Sequence, residues 1–163
     1  MRMKKIIIVV SIIVVILSLN KNYNLKESNT IRFRVIANSN KIEDQKLKKD
    51  IINNVSTVIN ESQEFTSIEE TRNFINKKLP EFDNLVKNAL IKNNDKREYN
   101  IKYGLNDFPR KELNNEIYEE GMYESLVITL GEGQGDNFWC ILFPPLCMIN
   151  DNNDYEYKSF IKE

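Results

Sequence analysis

The stretch LVITLGEGQGDNFWCILFPPLC, residues 126–147, decides how this chain is read. Two continuous apolar runs, residues 126–130 and 138–143, flank a loop that holds three of the chain's five glycines. Short apolar runs of this kind suit central strands buried on both faces. A glycine-rich connection between two of them reads as a hairpin. Gly131, Gly133 and Gly135 alternate, and their role is to permit positive φ in a tight or bulged turn. A phosphate loop would need a lysine and a following helix. Here the loop carries Glu132 and Asp136 instead and leads into a strand. Calcium on Glu132 and Asp136 is the alternative, although nothing here resembles a complete ligand loop; no metal or cofactor is assigned.

Alternation along the second run puts Trp139 on the face opposite Phe138 and Cys140. Trp139 is then either sheet core against helices or an aromatic surface for a partner protein. Cys140 and Cys147 are the only cysteines. As extended chain their separation would be about 23 Å, whereas bridged Cα atoms lie about 4.4–6.8 Å apart. A disulfide therefore requires the chain to reverse at Pro144-Pro145. The alternative is two reduced thiols filling core space. C-x6-C is not a redox C-x-x-C motif, and two sulfurs alone make a poor zinc site.

Working outward, IRFRVI (residues 31–36) alternates Ile31, Phe33 and Val35 with Arg32 and Arg34, the pattern of a half-exposed strand. It runs into Ala37-Asn38-Ser39-Asn40. Asn40 with Glu43 is a capping-box variant opening a helix on which Leu47, Ile51, Val55, Val58 and Ile59 share a face. Asp44/Lys48 and Lys46/Asp50 are placed on its polar side. Ser67 and Glu70 open a second amphipathic segment, and Pro80 predicts a new helix or a kink. From Glu98 the period becomes two, through Tyr99, Ile101 and Tyr103 to Gly104. Phe108-Pro109 fits an edge strand or loop, and residues 114–121 read as a turn or lead-in. The expected fold is α+β: one domain of about five mostly antiparallel strands with two or three helices packed on one face.

The first twenty residues, MRMKKIIIVVSIIVVILSLN, combine Arg2, Lys4 and Lys5 with an apolar run, as a signal peptide or membrane anchor does. The expected organisation is a leader over residues 1–20, a polar linker over 21–30, the domain over 31–150 and a polar tail over 151–163. Beyond the leader the chain keeps 20 of its 23 cations and all 24 carboxylates, a net charge of −4. That balance argues against nucleic acid. Histidine is absent, which excludes Ser-His-Asp and Cys-His catalysis and His-based zinc sites within this chain.

RFRVIANSN (residues 32–40), EDQKLK (43–48) and above all ITLGEGQGDNFWCILFPPLC (128–147) resemble stage II sporulation protein R of endospore-forming bacteria. The likeness extends over residues 32–150. Phe138 stands where that family leads one to expect a second tryptophan, and Glu119-Glu120-Gly121 replaces a Pro-Ala-Gly-like turn. The resemblance implies an exported signal made in the forespore. It would activate a membrane-embedded, aspartic-type protease of the mother cell across the intermembrane space. That protease processes the sigma-E precursor.

Such a protein has no catalysis, no cofactor and no small-molecule substrate, and it meets the membrane through its N-terminal segment. The expected partner-binding residues are Gly131, Glu132, Gly133, Gln134, Gly135 and Trp139, with Asn38 and Ser39 as a second group. For Asn38 and Ser39 the competing role is helix entry and backbone satisfaction. Two rivals from other classes stand beside this reading. One is an exported wall hydrolase using two of Glu116, Glu119, Glu120 and Glu124. The other is a structural envelope protein.

Overall fold

The computed structural model describes residues 29–61, 65–113 and 116–144. The leader, all but the end of the linker, Cys147 and the C-terminal tail lie outside the described residues. Strand β1 (Ile31–Ile36) is followed by helices α1 (Ile42–Glu61) and α2 (Ile68–Lys92). Then come β2 (Tyr99–Phe108), β3 (Lys111–Leu113), β4 (Glu116–Tyr118), β5 (Gly121–Leu130) and β6 (Asn137–Phe143). The class is α+β. A four-stranded mixed sheet has the order β2-β5-β1-β6, and β3 and β4 pair in a separate two-stranded sheet. About five strands were expected in one layer; four form it, and residues expected as a lead-in supply β4.

The expected hairpin around the glycine loop is not formed. β1 lies between β5 and β6, parallel to β5 (Phe33 beside Leu126, Val35 beside Ile128) and antiparallel to β6 (Phe33 beside Cys140, Val35 beside Phe138). Insertion gives backbone partners to both edges of a strand whose Ile31, Phe33 and Val35 are essentially fully buried. Strand order of this kind depends on a pairing made across the length of the chain, which no local pattern encodes.

Both helices cover one face of the sheet. α1 contributes Leu47, Ile51, Ile52 and Val55, and α2 contributes Ile75, Phe82, Val86, Ala89 and Leu90, to a core shared with Phe33, Val35, Leu126, Ile128 and Leu130. Ser67 caps α2, accepting from the Glu70 N–H, while the Glu70 carboxylate accepts from the N–H and hydroxyl of Thr66. Pro80 does not end the helix. It sits on the exposed side, where the carbonyl that loses its partner can turn to water.

α1 begins differently from expectation. The first helical bond runs from the Gln45 N–H to the Lys41 carbonyl, so the helix starts one residue later than an Asn40 cap would place it. Asp44, assigned to the polar side, is buried. β2 also runs on past Gly104 to Phe108, where it stops before Pro109 as the edge strand opposite β6.

Candidate functional site

Because β1 and β5 run parallel, with Ile36 beside Thr129, they release their loops at the same end of the sheet. The loop after β1 (residues 37–41) and the loop after β5 (residues 131–136) are joined along their length. Gln134 N–H donates to the Asn38 carbonyl at 3.1 Å and Gly135 N–H to the Ala37 carbonyl at 2.9 Å. Glu132 N–H donates to Asn38 Oδ1 at 3.1 Å, and Asp136 N–H to Asn40 Oδ1 at 2.7 Å. Gly131 and Gly133 N–H donate to the carbonyls of Glu98 and Leu130. Every backbone N–H from 131 to 136 is thus committed within the protein. None is left to cradle an anion, which settles the phosphate-loop question on geometry.

The glycines follow from this junction. Gly131 has φ 55°, and a Cβ there would stand 2.2 Å from Asn38 Oδ1. At Gly135 the Cβ would meet the Ser39 carbonyl oxygen at 2.4 Å, a backbone atom that cannot swing aside. The loop approaches its neighbour more closely than any side chain allows. Glu132 and Gln134 remain exposed at the tip, with Gln134 Nε2 donating to Glu132 Oε2 at 3.1 Å.

Beneath the loops sits a buried carboxylate. Asp44 Oδ2 accepts from Asn38 Nδ2 at 3.0 Å and from Ser39 Oγ at 2.6 Å, while Oδ1 meets Arg97 Nη2 at 2.6 Å. Arg97 also pairs with Asp95. The Arg97 hydrogen bond, which outweighs the upward push of burial, holds the Asp44 carboxyl well below the usual carboxylate range; Ser39 and Asn38 add to it. Asn38 and Ser39 therefore lie beside the expected contact loop and support it.

Trp139 lies elsewhere. It projects from β6 on the face opposite the helices, level with Arg34 of β1, while Phe138 packs against Phe33 on the helical face. On Trp139's face two guanidinium groups alternate with three rings. Arg32 Cζ stands 3.3 Å from the Tyr123 ring centroid and 5.1 Å from that of Phe108. Arg34 Cζ stands 5.6 Å from Phe108 and 4.4 Å from Trp139. Phe108 and Trp139 meet edge to face at 4.7 Å. Arg34 Nε is buried without a hydrogen-bond partner, and burial lowers the Arg34 pKa while Asp107 opposes that shift. Alternation sets Trp139 opposite Phe138 and Cys140 but leaves open which face meets the helices, and it does not reveal the arginines beside it. The signal is the Arg32/Arg34 alternation, which by itself reads as a half-exposed strand.

Cys140 is buried and disulfide-bonded; Cys147, the second half of the expected pair, lies outside the described residues. Of the four carboxylates weighed for hydrolysis, Glu124 is held by Arg72, whose Nε and Nη2 donate at 2.8–3.0 Å, and by the Tyr103 hydroxyl at 2.6 Å. Burial pushes its carboxyl upward, but the Arg72 and Tyr103 bonds win and hold it low. A general acid needs the opposite shift. Glu119 and Glu120 are exposed, and the Glu116 side chain lies outside the described set.

Residues 27–153 match the family model described as Stage II sporulation protein R. Over 130 residues the chain is 39% identical to the protein of that name from Bacillus subtilis (strain 168), an alignment covering 79% of this chain. It spans 58% of that relative's length. No solved structure matches the chain.

Proposed function

The chain belongs to the stage II sporulation protein R family, its role lies in sporulation, and on that footing we propose that it is an exported activating ligand. In this reading it leaves the forespore through its N-terminal segment. In the intermembrane space it binds a mother-cell membrane protease of aspartic type, and the protease then processes the sigma-E precursor. The chain performs no chemistry itself. It shifts the protease between inactive and active arrangements, by no more than its difference in affinity for the two.

The observation that carries the reading is the loop over residues 131–136. Its six backbone N–H groups are all bonded within the protein, yet the side chains of Glu132 and Gln134 stand in solvent. A tip fixed in advance loses little conformational entropy when a partner closes on it. Among the described residues, the side-chain bond these two make is the one between them. The test replaces Glu132 and Gln134 with alanine together, in exported and folded protein, and follows sigma-precursor cleavage. Cleavage should fail while protein level and thermal stability hold; normal cleavage removes the loop from the contact.

A further inference from the structure

Strand β2 closes one side of the four-stranded sheet and is ten residues long. Among the described residues no strand pairs with its outer edge, and β3 and β4 pair with each other instead. Proteins ordinarily guard such an edge by keeping it short, bulging it or setting proline and charge on it. β2 has no proline before Pro109, its register with β5 is unbroken from Tyr99 to Phe108, and its charges are Lys102 and Asp107.

The ladder fixes which backbone groups face outward. Gly131 N–H donates to the carbonyl of Glu98, in line with the register that sets Tyr99 beside Leu130. Hydrogen-bonded pairs recur at every second residue of an antiparallel ladder. Asn100, Lys102, Gly104 and Asn106 therefore turn their N–H and C=O groups toward β5. Tyr99, Ile101, Tyr103, Leu105 and Asp107 turn theirs to the open edge. Ile101 and Tyr103 pack on the core, but Leu105 stands 48% exposed.

An added antiparallel strand bonds those outward groups together. A second copy of β2 supplies one by two-fold symmetry, and an axis normal to the sheet keeps each side chain on its own face. The side chains then select the register. Centring the axis on Lys102 sets two lysines directly opposite, which is repulsive. Centring it on Gly104 sets Ile101 against the Asp107 carboxylate. Centring it on Tyr103 sets Ile101 against Leu105 and Asn100 against Asn106. It also lays Lys102 across Gly104, where a Cβ would meet nothing within 4 Å. That last register gives Leu105 an apolar neighbour, opposes no like charges within the strand and uses β2 over its length, with Tyr99 against Asp107.

We propose that the outer edge of β2 pairs antiparallel with β2 of a second copy, centred on Tyr103, so that two four-stranded sheets join into one. The pairing does not depend on the activating-ligand reading. Antiparallel edges put the two glycine loops at opposite ends of the joined sheet, so both tips stay open to a partner.

The test follows the full chain in detergent by sedimentation and by amide exchange in NMR spectra. Mass should rise from monomer to dimer with concentration. Over the same range the amides of Ile101, Tyr103 and Leu105 should become protected, whereas those of Lys102 and Gly104 should be protected throughout. Leu105→Lys, at an exposed position, should weaken the dimer about tenfold or more, as lysine on an edge strand does; the exchange measurement on the parent chain decides if that variant does not fold. A chain that stays monomeric overturns the proposal. So does a dimer that Leu105→Lys leaves unweakened, since the leader or another surface would then hold it, and so do outward amides that exchange fast within the dimer. Protection that appears only when the protease is added assigns the edge to a partner's strand and also overturns it. Sigma-precursor processing is read separately, and its loss or persistence bears on the ligand reading alone.

Discussion

Asn40 and Asp136 hold each other across the two loops: the Asp136 N–H donates to Asn40 Oδ1 at 2.7 Å, and Asn40 Nδ2 returns a bond to Asp136 Oδ1 at 3.1 Å. The pair closes the far end of the junction that Asn38 begins, and Lys48 Nζ adds a bond to the Asp136 carbonyl at 2.9 Å. Asn40→Ala removes both bonds of the pair. Because the site is exposed, the cost should be about 1 kcal/mol, read as a lowered denaturant midpoint with an unchanged slope. Amide exchange at residues 134–136 should quicken well beyond that small global effect. An unaltered exchange pattern would show that the clasp does not hold the loop.

Gly135 gives a sharper steric test. Gly135→Ala drives a methyl group into the Ser39 carbonyl, and either loop must move to relieve it. A loss of about 1–3 kcal/mol is expected, together with loss of signalling, because the tip is displaced. Gln134→Ala next to it should stay within about 0.5 kcal/mol of the parent. Equal stabilities for the two variants would mean that the loops do not approach as closely as drawn.

The glycine junction was only half legible from sequence. Alternating glycines announced unusual backbone, and the absence of a lysine argued against phosphate, but their partners Asn38 and Asn40 lie nearly the whole domain away. The amphipathic helices and the alternating β1 were legible because each carries its own period. The place of β1 between β5 and β6 was not, since two adjacent apolar runs with a short connection look like a hairpin whichever strand intervenes. Asp44 shows the same limit in a side chain. Its spacing to Lys48 suggests a solvent pair, yet Arg97 and Asn38, brought by other segments, bury it.

Acid sensitivity should trace to that carboxylate. Asp44 has a folded pKa below its unfolded value of about 3.9, so its stabilising effect is complete above that unfolded value. It declines as the pH falls below about 4 and toward the lower folded pKa, because the unfolded chain then takes up the proton more readily. Asp44→Asn should lower stability at neutral pH by about 2–3 kcal/mol, the scale of hydrogen bonds to a charged group. The gap between variant and parent should narrow as the pH drops from 5 to 2, measured by urea unfolding. A constant gap across that range would remove Asp44 as the origin.

Glu124 separates a ligand from an enzyme. Its carboxylate is clamped by Arg72 and Tyr103 between α2 and the sheet. As a structural ion pair, half open to water on the Arg72 side, it should contribute about 1–2 kcal/mol. Glu124→Gln and Arg72→Met should each lower stability by that amount. Sigma-precursor processing per folded molecule should stay unchanged in both variants. A hydrolase relying on this carboxylate would behave otherwise: Glu124→Gln would abolish function by orders of magnitude while Arg72→Met left part of it, and the purified chain would cleave wall fragments. Quantifying folded protein beside processing in the same cells makes the distinction, because a stability defect scales with the folded fraction and a lost catalytic group does not.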